Sequence, residues 1–142
     1  GQNVLDFILA ADEVLLVTTP EPTALTDAYA VMKAYSLHAA NKNLRIIINR
    51  VYDEAESRDV LTKLQRTAER FLQMPLEALG SVYEDRNVMN AVKRQSPLLA
   101  AYPNTLAARC VQAIAKNLLY GGHHEVQWGW RGFLQRMLKF KD

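Results

Sequence analysis

Residues 14–21, Val-Leu-Leu-Val-Thr-Thr-Pro-Glu, constrain the chain more than any other stretch: a continuous apolar run stops at a polar loop, Thr18 to Thr23, and a long helical pattern follows. A short unbroken run of β-branched residues and leucine is the signature of a strand covered on both faces, as in parallel sheets. Two further runs repeat the theme. Strands are expected at 13–18, 44–49 and 78–82. Asn3 is a natural cap for a helix through about residue 11, with Leu5, Ile8 and Leu9 on one face. A second helix is expected over 23–40, where Leu25, Ala28, Tyr29, Met32 and Tyr35 recur at helical spacing and Asp27 lies in the favourable first turn. A third opens in the charged stretch 53–58 and carries Val60, Leu61, Leu64, Ala68, Phe71 and Leu72 inward. A short helix over 87–93 and a longer one over 104–120, with Leu106, Cys110, Ile114 and Leu118 inward, complete the body. Strands separated by helices of this length imply right-handed parallel crossovers, hence an α/β fold with a doubly wound, mostly parallel sheet.

An open parallel sheet binds ligands outside the carboxyl ends of its strands, so the loops after Thr18, Asn49 and Val82 should meet on one rim. That rim would bring together Pro20 and Glu21, Asn49 and Arg50, and Val82, Glu84 and Asp85. Each also has a plainer reading. Asn at a strand end is a common turn former, Thr-Thr-Pro-Glu suits a strand stop with a proline-primed helix start, and adjacent acids in a loop are usually solvated.

Phosphate cradling needs a Gly-x-x-x-x-Gly-Lys-Ser/Thr loop, and none of Gly1, Gly80, Gly121, Gly122, Gly129 and Gly132 precedes such a Lys-Ser or Lys-Thr pair. These residues alone should therefore not hydrolyse a nucleotide. Residues 1–120 balance 13 Lys/Arg against 13 Asp/Glu, which argues against a broad nucleic-acid surface. A single Cys110 in apolar surroundings reads as a packed thiol rather than a nucleophile. His123-His124 lack the spacing and partners of a metal site, so no metal ligands are expected. The first residues lack a basic n-region and no apolar run reaches membrane-spanning length, which points to a cytoplasmic protein.

The last 22 residues differ in kind. Residues 121–128 read as a linker opened by Gly121-Gly122, and 129–142 as an amphipathic helix. Trp130, Phe133, Leu134, Met137, Leu138 and Phe140 share one arc, and Arg131, Gln135, Arg136 and Lys139 the other. Aromatics flanked by cations suit the inner, anionic face of a membrane. Docking on a protein surface is the alternative.

Thr18 to Ala24, Thr26 to Tyr29, the strand stop Asn49-Arg50, and Leu79-Gly80-Ser81-Val82-Tyr83-Glu84-Asp85 together resemble MinD/ParA-type P-loop ATPases, and among them the flagellar-number regulators of the FlhG type. Many relatives carry Pro where Tyr83 stands. The Arg131 to Leu138 wording resembles the membrane-targeting tail of MinD. The resemblance covers residues 1–120 as the C-terminal portion of such an ATPase domain, without its Walker A half. It implies ATP and Mg as cofactors of the complete protein and adenine-side roles for Asn49, Arg50, Pro20, Glu21, Val82, Glu84 and Asp85. It also implies a homodimer, peripheral attachment to an anionic membrane, and flagellar assembly proteins as partners, with control of flagellar number or placement as the outcome. A division-site MinD and a non-enzymatic α/β interaction module acting through its tail are the alternatives. A partial sheet would also leave an edge and apolar area exposed, and so should associate when isolated.

Overall fold

The computed structural model describes Ile8, Ala11, residues 13–39 and residues 44–120; the expected tail helix, its linker and most of the first helix lie outside the described residues. The elements run β1 (Val14–Thr18), α1 (Pro22–His38), β2 (Leu44–Val51), α2 (Glu54–Thr67) with a π-helical continuation (Ala68–Leu72), β3 (Leu76–Tyr83), α3 (Arg86–Lys93), α4 (Leu98–Ala101) and α5 (Leu106–Tyr120). All three strands are parallel, in the order β1-β2-β3. Alternation of strand and helix thus produces the expected α/β sheet.

Local chemistry explains where the helices begin. Glu21 is extended and Pro22 occupies the first helical position of α1, where a missing N–H costs nothing. Asp53 caps α2 by accepting the Glu56 N–H at 2.8 Å, and Glu56 in return accepts the Tyr52 N–H at 2.8 Å. The expected straight helix through Leu72 instead widens over its last five residues, and the Met74 N–H closes on the Ala68 carbonyl at 3.3 Å. Gln73 then takes the left-handed conformation that stops the helix. The loop expected between α3 and α5 contains one helical turn, α4, held to the end of α3 by an Arg94–Tyr102 hydrogen bond of 3.1 Å.

One face of β2 builds the core. Leu44, Ile46, Ile48 and Val51 are buried with Met32 and Tyr35 of α1 and with Val60, Leu61 and Leu64 of α2. The other face of the sheet is covered over β3 by α5. Gly80, paired with Ile47, makes that approach possible: its φ is +151°, and a Cβ there would lie 2.8 Å from Ile114 Cγ1. Ala78 pairs with Ile46 and Gly80 with Ile47, so Leu79 is an extra residue, a bulge. Its carbonyl accepts a hydrogen bond from Asn117 Nδ2 of α5 at 2.9 Å.

On the same face β1 stays open among the described residues. Leu15 and Val17 are 40% and 57% exposed, although the apolar run suggested cover on both sides. The helices on both faces of β3, and on one face of β1, are half of a doubly wound arrangement.

Gly80→Ala should destabilise the chain by about 1–3 kcal/mol, because it overpacks Ile114 and strains the backbone together. Urea denaturation measures this directly; an unchanged midpoint would mean that α5 does not pack on Gly80 as described.

Candidate functional site: the rim at the carboxyl ends of the strands

The three strand ends do converge, and Arg50 joins them. Sequence reasoning placed the end of β2 at Asn49; the strand runs on to Val51, because Arg50 bulges out of the ladder between Asn49 and Val51 with φ +61°. From that bulge its guanidinium reaches Glu84 Oε2 after β3 at 2.9 Å and Glu21 Oε1 after β1 at 3.5 Å. Glu84's hydrogen bond and charge raise the Arg50 pKa above its ordinary value, so the cation persists at every accessible pH. The Glu84 N–H also donates to the Val51 carbonyl at 2.9 Å. Exposed pairs of this kind contribute little to stability, and a left-handed backbone at a non-glycine residue costs some.

Asn49 precedes the bulge and pairs with Val82 of β3. Its Oδ1 accepts the Arg50 N–H at 3.0 Å, while Nδ2 has no partner among the described residues. Pro20 is half-buried between Thr19 and Glu21. Thr18 is anchored through its hydroxyl, which donates to the Ala24 carbonyl of α1 at 3.1 Å. The Thr19 hydroxyl beside it is buried, with no hydrogen-bond partner among the described residues. An amide NH₂ left without a partner at a strand end is a donor that a polar ring can use.

Asp85 works differently from its neighbours. One carboxylate oxygen accepts the Asn87 N–H at 2.8 Å and Asn87 Nδ2 at 3.0 Å, capping α3; the other accepts the Ala107 N–H at 3.2 Å at the start of α5. Burial pushes its pKa up, but the Asn87 and Ala107 backbone donors, with the Asn87 and Thr105 side chains, outweigh this and hold it below the usual carboxylate range. Asp85 therefore fixes two helices under the rim. Tyr83 pairs with Val51 and packs its ring against the core, and burial raises its pKa. Cys110 is buried on α5 and burial raises its pKa, although the Tyr83 backbone partly counters this; it is a packed thiol.

The sequence did not single out Tyr52, whose ring is 76% exposed immediately after β2. An aromatic two residues behind the Asn49-Arg50 pair was the available signal. Its ring is free to stack. Likewise unforeseen was the Ser57–Ser81 hydroxyl pair at 2.7 Å, which ties α2 to β3. Among the described residues no group of His, Cys, Asp and Glu could hold a metal ion, and no helix is long and apolar enough to cross a membrane. All nine tail residues expected to meet a membrane lie outside the described residues.

No family model matches the chain. It is 34% identical over 118 residues to the antiactivator FleN of Pseudomonas aeruginosa, covering 83% of this chain and 42% of FleN. It is 32% identical over 146 residues to the flagellum site-determining protein YlxH of Helicobacter pylori, covering 99% of this chain and 49% of YlxH. Its fold matches the MinD cell division protein of Aquifex aeolicus with TM-score 0.64 at 21% identity, over 83% of this chain and 48% of that one. The chain belongs to the MinD/ParA-type P-loop ATPase family. Within that family it stands close to the FlhG-type flagellar proteins, and it spans about half the length of the curated relatives it matches.

Asp85→Ala should lower stability by roughly 1–2 kcal/mol through loss of the caps. Because the folded-state pKa is depressed, that advantage is complete above the unfolded carboxylate value of about 4 and fades as pH falls through the folded value. Urea melts of both proteins should differ at pH 7 and converge in strong acid; a constant gap would place the effect outside the Asp85 charge.

Proposed function

We propose that this chain supplies the base-binding side of an ATP site in a FlhG-type ATPase that controls flagellar number or placement. The observation that carries the proposal is the single rim on which the ends of β1, β2 and β3 meet, with Asn49 presenting a free amide NH₂ next to the Arg50 that links Glu21 and Glu84. The rim suits the base end of a nucleotide and not its phosphates. Glu21 and Glu84 outnumber Arg50, so a triphosphate would be repelled, whereas a purine can meet the Asn49 amide and the exposed Tyr52 ring. The phosphate-loop motif is absent from these 142 residues, and in this reading the rest of the intact ATPase would contribute it together with the Mg²⁺ ligands. Bound Mg²⁺ and the phosphate-loop lysine would supply charge stabilisation for phosphoryl transfer; the residues described here bind and orient the base. The kinship with FleN and YlxH supports a flagellar role over a division-site one.

In this reading residues 1–120 form the C-terminal part of the ATPase domain, 121–128 a linker, and 129–142 a helix that attaches to an anionic membrane. About six apolar side chains give one tail weak interfacial binding once the cost of ordering is paid. Two tails in an ATP-dependent homodimer would add avidity. Flagellar assembly proteins are the partners this placement serves.

Asn49→Ala in the intact ATPase should cost roughly 1–3 kcal/mol of ATP affinity, the range for one lost buried polar contact. Isothermal titration with ATP decides it, and an unchanged affinity removes Asn49 from the site. The tail is testable as a peptide. Residues 127–142 should gain helix with phosphatidylglycerol vesicles and lose binding as salt rises, since each cation contributes up to ~1 kcal/mol near a charged surface. Phe133→Glu should abolish binding and Gln135→Glu weaken it slightly; equal losses would favour docking on protein.

A further inference from the structure

Arg50 presents an imbalance that stability does not explain. Its backbone is left-handed, where glycine would be free of strain, and its side chain makes two ion pairs that are both open to solvent. A residue that strains the backbone for weak surface contacts points to a role in the site. What the bulge accomplishes is local: it turns the Arg50 N–H onto Asn49 Oδ1 at 3.0 Å. An N–H facing the amide identifies that atom as the oxygen. The amide is thereby locked, with its oxygen engaged and its NH₂ left as the group available to a ligand.

We infer that Arg50 is a positioning residue: the Glu21–Arg50–Glu84 clasp holds the left-handed bulge, and the bulge sets Asn49 as a hydrogen-bond donor toward a ring-nitrogen acceptor of the base. The inference rests on the reading of Asn49 as a base contact. It assigns Arg50 no contact with the nucleotide. It also gives the two carboxylates a purpose that neither solvation nor catalysis supplies, since both hold the guanidinium from opposite strands and keep it over the end of β2.

A double-mutant cycle on the intact ATPase tests this, with ATP affinity as the readout and circular dichroism as the check on folding. Asn49→Ala and Arg50→Ala should each weaken ATP roughly tenfold, and the double variant should be no weaker than either single one, because Arg50 acts only through Asn49. Asn49→Asp keeps the oxygen but removes the donor, and should lose as much as Asn49→Ala. Glu84→Gln, which keeps the shape and removes the charge, should lose about half of the Arg50→Ala effect on a logarithmic scale and add nothing to it. Additive losses for Asn49 and Arg50 would overturn the inference by giving Arg50 its own ligand contact. Normal affinity in folded Arg50→Ala, with Asn49→Ala weakened, would overturn it while leaving the base-binding reading intact. Normal affinity in Asn49→Ala would remove that reading, and this inference with it.

Discussion

The ladder that holds β2 between two parallel neighbours is the constraint on which the rest depends. Its buried side, Leu44, Ile46 and Ile48, is almost wholly shielded from solvent, and burial of such side chains is worth roughly 1.5–3 kcal/mol each. No exposed ion pair competes with that sum. Charge instead sets geometry at the two ends of the strand. At one end Arg45 lies between Glu13 of the segment before β1, at 3.7 Å, and Glu77 of β3, at 3.1 Å; at the other, Arg50 lies between Glu21 and Glu84. In both places the central strand carries the cation and its neighbours the anions, so each triad ties all three strands in register.

The rim inherits its shape from two departures from regular pairing. The Leu79 bulge lets β3 meet α5 through Gly80, and the Arg50 bulge lifts a guanidinium over the strand ends. Below them Asp85 fixes the starts of α3 and α5 with one carboxylate. The loop after β3 is thus anchored from underneath by backbone donors and from above by the Glu84–Arg50 pair. A site assembled this way has its polar groups held before any ligand arrives, which lowers the ordering cost of binding.

Much of this was legible from residue order. Strand runs ending in turn residues, separated by helix-period segments, place all three strands and both crossover helices, and the strand-end rule places the rim. Asn49, Arg50, Glu21 and Glu84 all sit at or just after strand ends, and the resemblance to MinD-type ATPases is what implied their adenine-side roles. The unreadable parts share a cause: they arise from contacts between distant residues. No local signal marks Arg50 as left-handed, because the carboxylates that hold its side chain lie 29 residues before it and 34 after. Asp85 reads as a solvated loop acid until the Ala107 N–H, 22 residues on, is seen to share its carboxylate. The widening of α2 into a π turn is likewise invisible to a pattern that counts only inward-facing residues. The Leu15 and Val17 face is the reverse case: the apolar run predicts cover on both sides, and the described residues leave one side bare.

The central claim is that the ends of β2 and β3 form the base side of a nucleotide site. A crystal structure of the intact ATPase with a non-hydrolysable ATP analogue tests it most directly. The base should lie over the ends of these strands, with the Asn49 amide in hydrogen-bonding distance of a ring nitrogen and Arg50 still held by Glu21 and Glu84. A base bound away from this rim, or Asn49 turned from it with the Arg50 pairs broken, would contradict the claim.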